Sequence, residues 1–169
     1  DDGGFNASDG SCSGAMGQST DGVAVKISGG TVYVNAEGDG LDSNGTMTIS
    51  GGNVIVDGPS KSGNGSLDSN NGISLEGGTL IAVGSSGMVE YPDTDSKQKF
   101  LAMTADVNYE FTFKVCHENY EITEYKPQKN YSGNVSIIVS TPNLAENNEY
   151  TLYIDDNESG SYKVNEVPA

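Results

Sequence analysis

Three of the Gly-Gly pairs in the first half of this chain lie at the centre of segments of similar sequence. They lie at residues 29–30, 51–52 and 77–78, so that they are 22 and 26 residues apart. A short alternating sequence precedes each pair and another follows it: VKIS and TVYV, MTIS and NVIV, ISLE and TLIA. Alternation with a period of two residues that returns at a longer interval indicates short strands, each stacked on its counterpart in the next copy. This repeat limits the possible folds more than any other feature.

Aligning the three copies on their Gly-Gly pairs produces columns of apolar residues separated by polar columns. The four apolar columns are Val25, Met47 and Ile73; Ile27, Ile49 and Leu75; Val32, Val54 and Leu80; and Val34, Val56 and Ala82. A segment of this length holds two or three short strands at about 3.3 Å per residue. The sequence therefore predicts an all-β fold, a right-handed parallel β-helix in which each rung pairs with the next. Glycine is expected at corners of positive φ. An antiparallel sandwich of short strands is the alternative.

The repeat stops near residue 91, and this predicts two parts. Residues 1–90 are expected to form the rungs of the helix, with a Gly/Ser-rich insertion at residues 8–22. Residues 91–169 are expected to form a C-terminal antiparallel β cap or accessory sheet, because NYEFTFKVCHENYEITEY alternates strictly and NVSIIVS and EYTLYID follow it. The alternation assigns one face of a strand to four residues: Tyr109, Phe111, Phe113 and Val115.

The charge of the chain limits its partners. It has 24 acidic residues and 8 basic ones, all lysines, for a formal net charge of −16. Such a surface repels nucleic acids and anionic membranes, and no segment has the length and apolarity of a membrane span. We therefore expect neither nucleic-acid binding nor membrane insertion. Metal cations, neutral sugars, and anions bridged by a metal are the expected partners.

A second repeated motif places acidic residues in register. Leu41-Asp42-Ser43 recurs as Leu67-Asp68-Ser69, and Phe5-Asn6-Ala7 resembles an earlier copy. Aspartates in adjacent rungs would be about 4.8 Å apart, and their repulsion would raise their pKa values unless a cation lay between them. Ca²⁺ takes six to eight oxygen ligands. The predicted calcium ligands are Asp39, Asp42, Asp68, Asn6, Asn64 and Asp2. In the alternative interpretation, Asp and Asn occur here only because they favour turns.

Two long stretches resemble one known family. NAEGDGLDSNGTMTISGGNVIVDGPSKSGNGSLD and GGTLIAVGSSGM are similar to secreted, calcium-containing β-helix proteins of plant-fibre-degrading anaerobic bacteria. The resemblance implies an extracellular or cell-surface location, bound Ca²⁺, and binding of cellulose or acidic, pectin-like polysaccharide on an architecture like that of polysaccharide lyases. It covers residues 1–90 and, more weakly, the later strands. It matches Asp39, Asp42 and Asp68 to the family's acidic turns, whereas Asn6 and Ser69-Asn70 depart from its pattern.

The resulting functional prediction is a non-catalytic, calcium-binding protein that recognises plant cell-wall polysaccharide. Tyr33, in an outward column with Ile55 and Ile81, is the first candidate to stack on a sugar ring. Tyr91 and the loop residue Lys61 are the other candidate sugar contacts. Burial of the Tyr33 column under the C-terminal part, or under the loop at residues 8–22, is the competing interpretation.

Two further functions remain as alternatives. A calcium-dependent polysaccharide lyase would need a base, and the repeats offer only Lys26 and Lys61, neither with an evident acid–base partner. The single histidine, His117, leaves no support for a Ser-His-Asp site. The second alternative is a β-helix adhesin or fibre subunit with structural calcium and end-to-end self-association. The cysteines Cys12 and Cys116 are compatible with a disulfide or with free thiols.

Overall fold

The computed structural model describes residues 5–7 and 21–168, with only the backbone of residues 6 and 7. The described residues form three β-sheets and one short 3-10 turn, Ser86–Met88. The thirteen strands are β1 Phe5–Ala7, β2 Ala24–Asn35, β3 Leu41–Ser43, β4 Thr46–Asp57, β5 Leu67–Ser69, β6 Ile73–Leu75, β7 Thr79–Ser85, β8 Phe100–Tyr109, β9 Phe113–His117, β10 Tyr120–Tyr125, β11 Tyr131–Ser140, β12 Glu149–Ile154 and β13 Asn157–Lys163.

The largest sheet, here called the central sheet, has the strand order β2-β4-β7-β11-β8, and β6 pairs with β4 beside β7. Strands β2, β4 and β7 are parallel, whereas β11 is antiparallel to both β7 and β8. A small parallel sheet contains β1, β3 and β5, and an outer antiparallel sheet has the order β10-β9-β12-β13. The central sheet is therefore mixed.

Both faces of the central sheet are covered, and this produces a sandwich-like arrangement of layers. One core joins its inner face to the small parallel sheet through residues such as Leu41, Leu67 and Val54. A second core joins its outer face to the outer sheet through residues such as Ile137 and Phe113. Full burial of a large apolar side chain contributes about 1.5–3 kcal/mol, so these two cores hold the layers together. The continuous apolar run in β7 follows from this double burial.

The prediction of a parallel β-helix is wrong. After β7 no further rung is added; β11 pairs antiparallel with it instead, from Val135 opposite Ser85 to Ser140 opposite Leu80. The described strands consequently do not close a solenoid. Apolar periodicity predicted local stacking but carried no information about which distant strand would continue the sheet, because β11 and β8 offer equally good apolar faces.

The alignment of the repeats is confirmed. Val25 pairs with Met47 and Met47 with Ile73, and the other three apolar columns are in register as well. The second glycines of the pairs form the corners: Gly30, Gly52 and Gly78 have φ of 77°, 92° and 86°. An added Cβ at Gly52 would come within 2.8 Å of the backbone of the preceding copy. These corners therefore need glycine both for φ and for close approach.

The predicted strand face from Tyr109 to Val115 is wrong at its first residue. Strand β8 ends at Tyr109, whose φ is 68° and whose side chain is 69% exposed. Phe113 and Val115 belong to the next strand, β9, and are buried in the second core with Phe111. A positive φ at a bulky residue reverses the chain where the alternating sequence predicted continuity.

Candidate functional site

The candidate site lies on the small parallel sheet, where Asp42 and Asp68 are paired in register. In both β3 and β5 the leucine and the serine are buried and the aspartate between them is half-buried. The leucines enter the inner core, which directs the aspartates away from it. The serine hydroxyls close the following turns: Ser43 Oγ donates to the carbonyl of Thr46, and Ser69 Oγ to that of Gly72.

Two further carboxylates flank this pair. Asp39 Oδ1 accepts a hydrogen bond from the backbone N–H of Gly65 at 2.8 Å. Glu90 Oε2 accepts one from the backbone N–H of Ser69 at 2.7 Å. These bonds hold both side chains beside β5. We call Asp39, Asp42, Asp68 and Glu90 the carboxylate cluster.

Asp68 has the least compensated charge in this cluster. No described residue donates a hydrogen bond to its carboxylate or forms an ion pair with it. Partial burial raises the pKa of Asp68 to about 6, and the negative charges of Glu90, Asp39 and Asp42 contribute further. Both causes disfavour the ionised form. The arrangement is therefore one that a bound cation would relieve.

The cluster offers only oxygen donors, which suits a hard divalent cation. Within the described residues, no three His, Cys, Asp or Glu side chains already converge closely enough to hold a metal ion. Two of the four carboxylates are directed to backbone N–H groups. A calcium ion here would bind Asp68 together with main-chain carbonyls or water, and the other three carboxylates of the cluster would add negative charge.

The structure describes the other predicted ligands only in part. Asn6 pairs with Asp42 through the backbone, which confirms the position of β1, but its side chain is not described. Asn64 is half-buried and precedes Gly65, and its side chain has no hydrogen bond to another described residue. Asp2 and Cys12 lie outside the described residues, and Cys116 forms no disulfide with any described residue.

Glu90 was not predicted from the sequence, although a signal exists. Its backbone N–H donates to the carbonyl of Leu67, and Val89 packs on the inner core. Val89-Glu90 therefore continues the position of Leu67-Asp68, 22 residues later. An alignment by residue type, in which an aliphatic residue is followed by an acidic one, finds Glu90. An alignment on the identical Leu-Asp-Ser motif does not.

The predicted sugar contact Tyr33 lies at the carboxyl ends of β2 and β4 and is 49% exposed. Its hydroxyl donates to Oδ2 of Asp57 at 2.9 Å. Asp57 is fully buried and also accepts hydrogen bonds from the Tyr125 hydroxyl at 3.1 Å and from the Gln128 backbone N–H at 2.8 Å. Burial, followed by the hydrogen bond to Asp57, raises the pKa of Tyr33. The ring is therefore fixed in place while about half of it stays accessible.

Polar side chains continue this surface. Glu37 accepts hydrogen bonds from the Ser60 hydroxyl at 2.7 Å and from Lys129 Nζ at 3.0 Å. Partial burial would raise the pKa of Glu37, but these hydrogen bonds outweigh it and lower the pKa. Lys61 follows Ser60, is exposed, and has no ion pair with a described residue. We call Tyr33, Glu37, Ser60 and Lys129 the Tyr33 patch.

The remaining residues of the outward column differ from Tyr33. Ile81 is buried in the outer core, and Ile55 is half-buried. Burial under the C-terminal part thus holds for Ile81 and not for Tyr33, whereas residues 8–20 of the loop lie outside the described residues. Tyr91 is half-buried against the inner core, so its ring is less available than that of Tyr33.

Comparison with known proteins gives no relative. No family model, no curated protein and no solved structure matches this chain. The family resemblance of the sequence therefore stays a prediction. In the described part of the chain, no helix has the length and apolarity needed to cross a membrane.

Proposed function

We propose that this chain is a non-catalytic carbohydrate-binding protein of the cell surface or extracellular space that binds plant cell-wall polysaccharide and Ca²⁺. The observation that carries the proposal is the uncompensated charge of Asp68. Asp68 lies in register with Asp42, beside Asp39 and Glu90, and has no described hydrogen-bond donor. A divalent cation at the carboxylate cluster would neutralise this charge, and it would also allow an acidic glycan to approach a chain of net charge −16.

The Tyr33 patch supports the carbohydrate part of the proposal. Sugar rings bind on exposed aromatic faces whose neighbours offer hydrogen bonds. Tyr33 is held by Asp57, and Glu37, Ser60 and Lys129 lie on the adjoining loops. The chain segment from Ala36 to Asp42 connects this patch to the carboxylate cluster.

Calcium binding is tested by titrating metal-stripped protein with Ca²⁺ in a calorimeter. We expect binding by the natural chain and a loss of affinity of at least about tenfold in Asp68→Asn, because the central carboxylate is removed. Asp106→Asn is the matched control, since Asp106 is exposed on β8 and the change in net charge is the same. If both variants bind Ca²⁺ like the natural chain, the cluster is not the site.

Polysaccharide binding is tested by pull-down on cellulose and on pectate, with Ca²⁺ and with chelator. We expect retention that falls in Tyr33→Ala but not in Tyr120→Ala, a control at a tyrosine that is 73% exposed on the outer sheet. Retention on pectate should also depend on Ca²⁺. Calcium binding without any retention on either polysaccharide would make the ion structural and would refute the carbohydrate part. The lyase alternative has no observation in its favour and stays untested.

A further inference from the structure

The two edge strands of the central sheet, β8 and β2, differ in whether their outward-facing backbone groups have hydrogen-bond partners. At the β8 edge, the backbone N–H of Asn165 donates to the carbonyl of Phe100 at 2.9 Å, and Phe100 N–H donates to Asn165 Oδ1 at 3.1 Å. Four residues further along β8, the Tyr162 hydroxyl donates to the carbonyl of Thr104 at 2.8 Å. The C-terminal segment thus occupies outward-facing backbone groups of β8, which protects this edge against pairing with another strand.

The β2 edge has no such cover among the described residues. Strand β2 is twelve residues long, and the only described strand paired with it is β4. The carbonyl of Val23 accepts from β4, and Ala36 N–H donates to β4. Because backbone groups alternate between the two sides of a strand, those of Lys26 and Tyr33 face away from β4. The open side therefore presents a row of donors and acceptors.

The composition of β2 sets it apart from the rest of this acidic chain. None of its twelve residues is acidic, and its one charged side chain is that of Lys26. It contains no proline, and the glycine corner at Gly29–Gly30 divides it into two straight segments. Proteins commonly guard an exposed edge with prolines or several charges, and β2 has neither guard.

We propose that β2 is the interface for a second copy of this chain, paired antiparallel through the open edge. The covered β8 edge leaves no place for β2 of the next copy, so head-to-tail stacking of central sheets is blocked. A twofold axis instead brings β2 against β2, and an antiparallel strand pair is self-complementary in its hydrogen bonds. For two molecules of charge −16, the edge without acidic residues is also where repulsion is weakest.

The net charge of the chain makes the proposed association depend on the salt concentration. Repulsion between two strongly acidic molecules acts over the Debye length, about 30 Å at 0.01 M salt and about 8 Å at 0.15 M. Backbone hydrogen bonds at the edge are short-ranged and little affected. Association through β2 should therefore strengthen as sodium chloride is added, opposite to an interface held by ion pairs.

The test is sedimentation equilibrium over a range of protein concentrations, at low and at high salt. We expect a monomer–dimer equilibrium for the natural chain that shifts to dimer with salt. Lys26→Pro removes an outward N–H while leaving the ladder to β4, and it should weaken dimerisation at least tenfold. Lys26→Ser is the matched control, because it removes the same charge and keeps the N–H; it should dimerise like the natural chain.

Amide hydrogen exchange locates the interface and does not depend on the proline variant folding. In the natural chain, the amides of Lys26, Thr31 and Tyr33 should exchange more slowly as protein concentration rises, while that of the exposed Asp106 should not. A natural chain that is monomeric at every concentration and salt overturns the proposal. So does a dimer whose β2 amides show no protection, or a folded Lys26→Pro variant that dimerises like Lys26→Ser.

Discussion

The Tyr33 hydroxyl and the Asp57 carboxylate form a 2.9 Å hydrogen bond that connects β2 to the end of β4. Asp57 has no accessible surface, and the Tyr125 hydroxyl and the Gln128 N–H bring the loop before β11 onto the same carboxylate. One buried acidic side chain thereby joins the repeats of the first half to the C-terminal part.

We predict that Asp57→Ala lowers the free energy of unfolding by about 3 kcal/mol, because three donors lose at once the fully buried acceptor that they share. Tyr33→Phe removes only one donor and should cost about 1 kcal/mol. Urea denaturation measures both values. Asp106→Ala, at an exposed position, should stay within about 0.5 kcal/mol of the natural chain. An Asp57→Ala variant as stable as Asp106→Ala would contradict the assigned role.

The pKa of Asp68 leads to a prediction about pH in calcium-free buffer. The carboxyl has a pKa of about 6 in the folded chain, against 3.8 for a fully solvated aspartate. Between these values the folded chain holds more protons than the unfolded chain, so this residue's contribution to stability falls as pH rises through the window and is lost above about pH 6.

Asp68→Asn removes this contribution and isolates it from the other acids. We expect the free energy of unfolding of the variant, relative to that of the natural chain, to rise by about 1 kcal/mol between pH 4 and pH 7. This value allows for solvent screening of a half-exposed group. Urea denaturation at several pH values, with chelator present, measures the difference. A difference between Asp68→Asn and the natural chain that stays constant with pH would show that the Asp68 carboxyl is not perturbed.

The sequence predicted the local structure of the repeats well because the constraint there is local. Val25, Met47 and Ile73 had to face one core, and a one-residue slip would have exposed them. The same reasoning placed Asp42 beside Asp68, because the leucines before them fix the register. Gly30, Gly52 and Gly78 were predictable for the same reason, since each corner needs a positive φ.

The remaining structure depends on pairing between distant segments, which periodicity does not report. Strand β11 is buried as continuously as β7, yet it pairs antiparallel with β7 and ends the parallel series. The burial of Asp57 was equally unpredictable, because Asn35 and Val83, its register partners, give no consistent signal. Two of its three donors, Tyr125 and Gln128, come about seventy residues later in the sequence.

The glycine corners lead to a third prediction, about steric cost. At Gly52 an added Cβ would lie 2.8 Å from backbone atoms of Gly29 and Gly30, whereas at Gly133 nothing lies within 4 Å. The two glycines have nearly the same φ, 92° and 88°. Gly133→Ala should therefore cost only the conformational term of about 1–2 kcal/mol, and Gly52→Ala at least about 2 kcal/mol more. Thermal unfolding compares them. Equal losses would mean that the corner relaxes freely around a methyl group.

The covered edge of the central sheet gives the last prediction. Asn165 and Asn147 both have positive φ, 57° and 67°. The Asn165 side chain accepts from Phe100 N–H and donates to the carbonyl of Thr94 at 2.8 Å, whereas that of Asn147 is exposed and has no hydrogen bond to a described residue. Replacement by alanine costs the same backbone strain at both positions, so the difference between the variants isolates these side-chain bonds.

We expect Asn165→Ala to be less stable than Asn147→Ala by about 1–2 kcal/mol in urea denaturation. It should also aggregate faster on heating, as measured by light scattering, because an uncovered Phe100 N–H makes β8 a second open edge. Equal stability and equal aggregation would show that the C-terminal segment does not protect this edge.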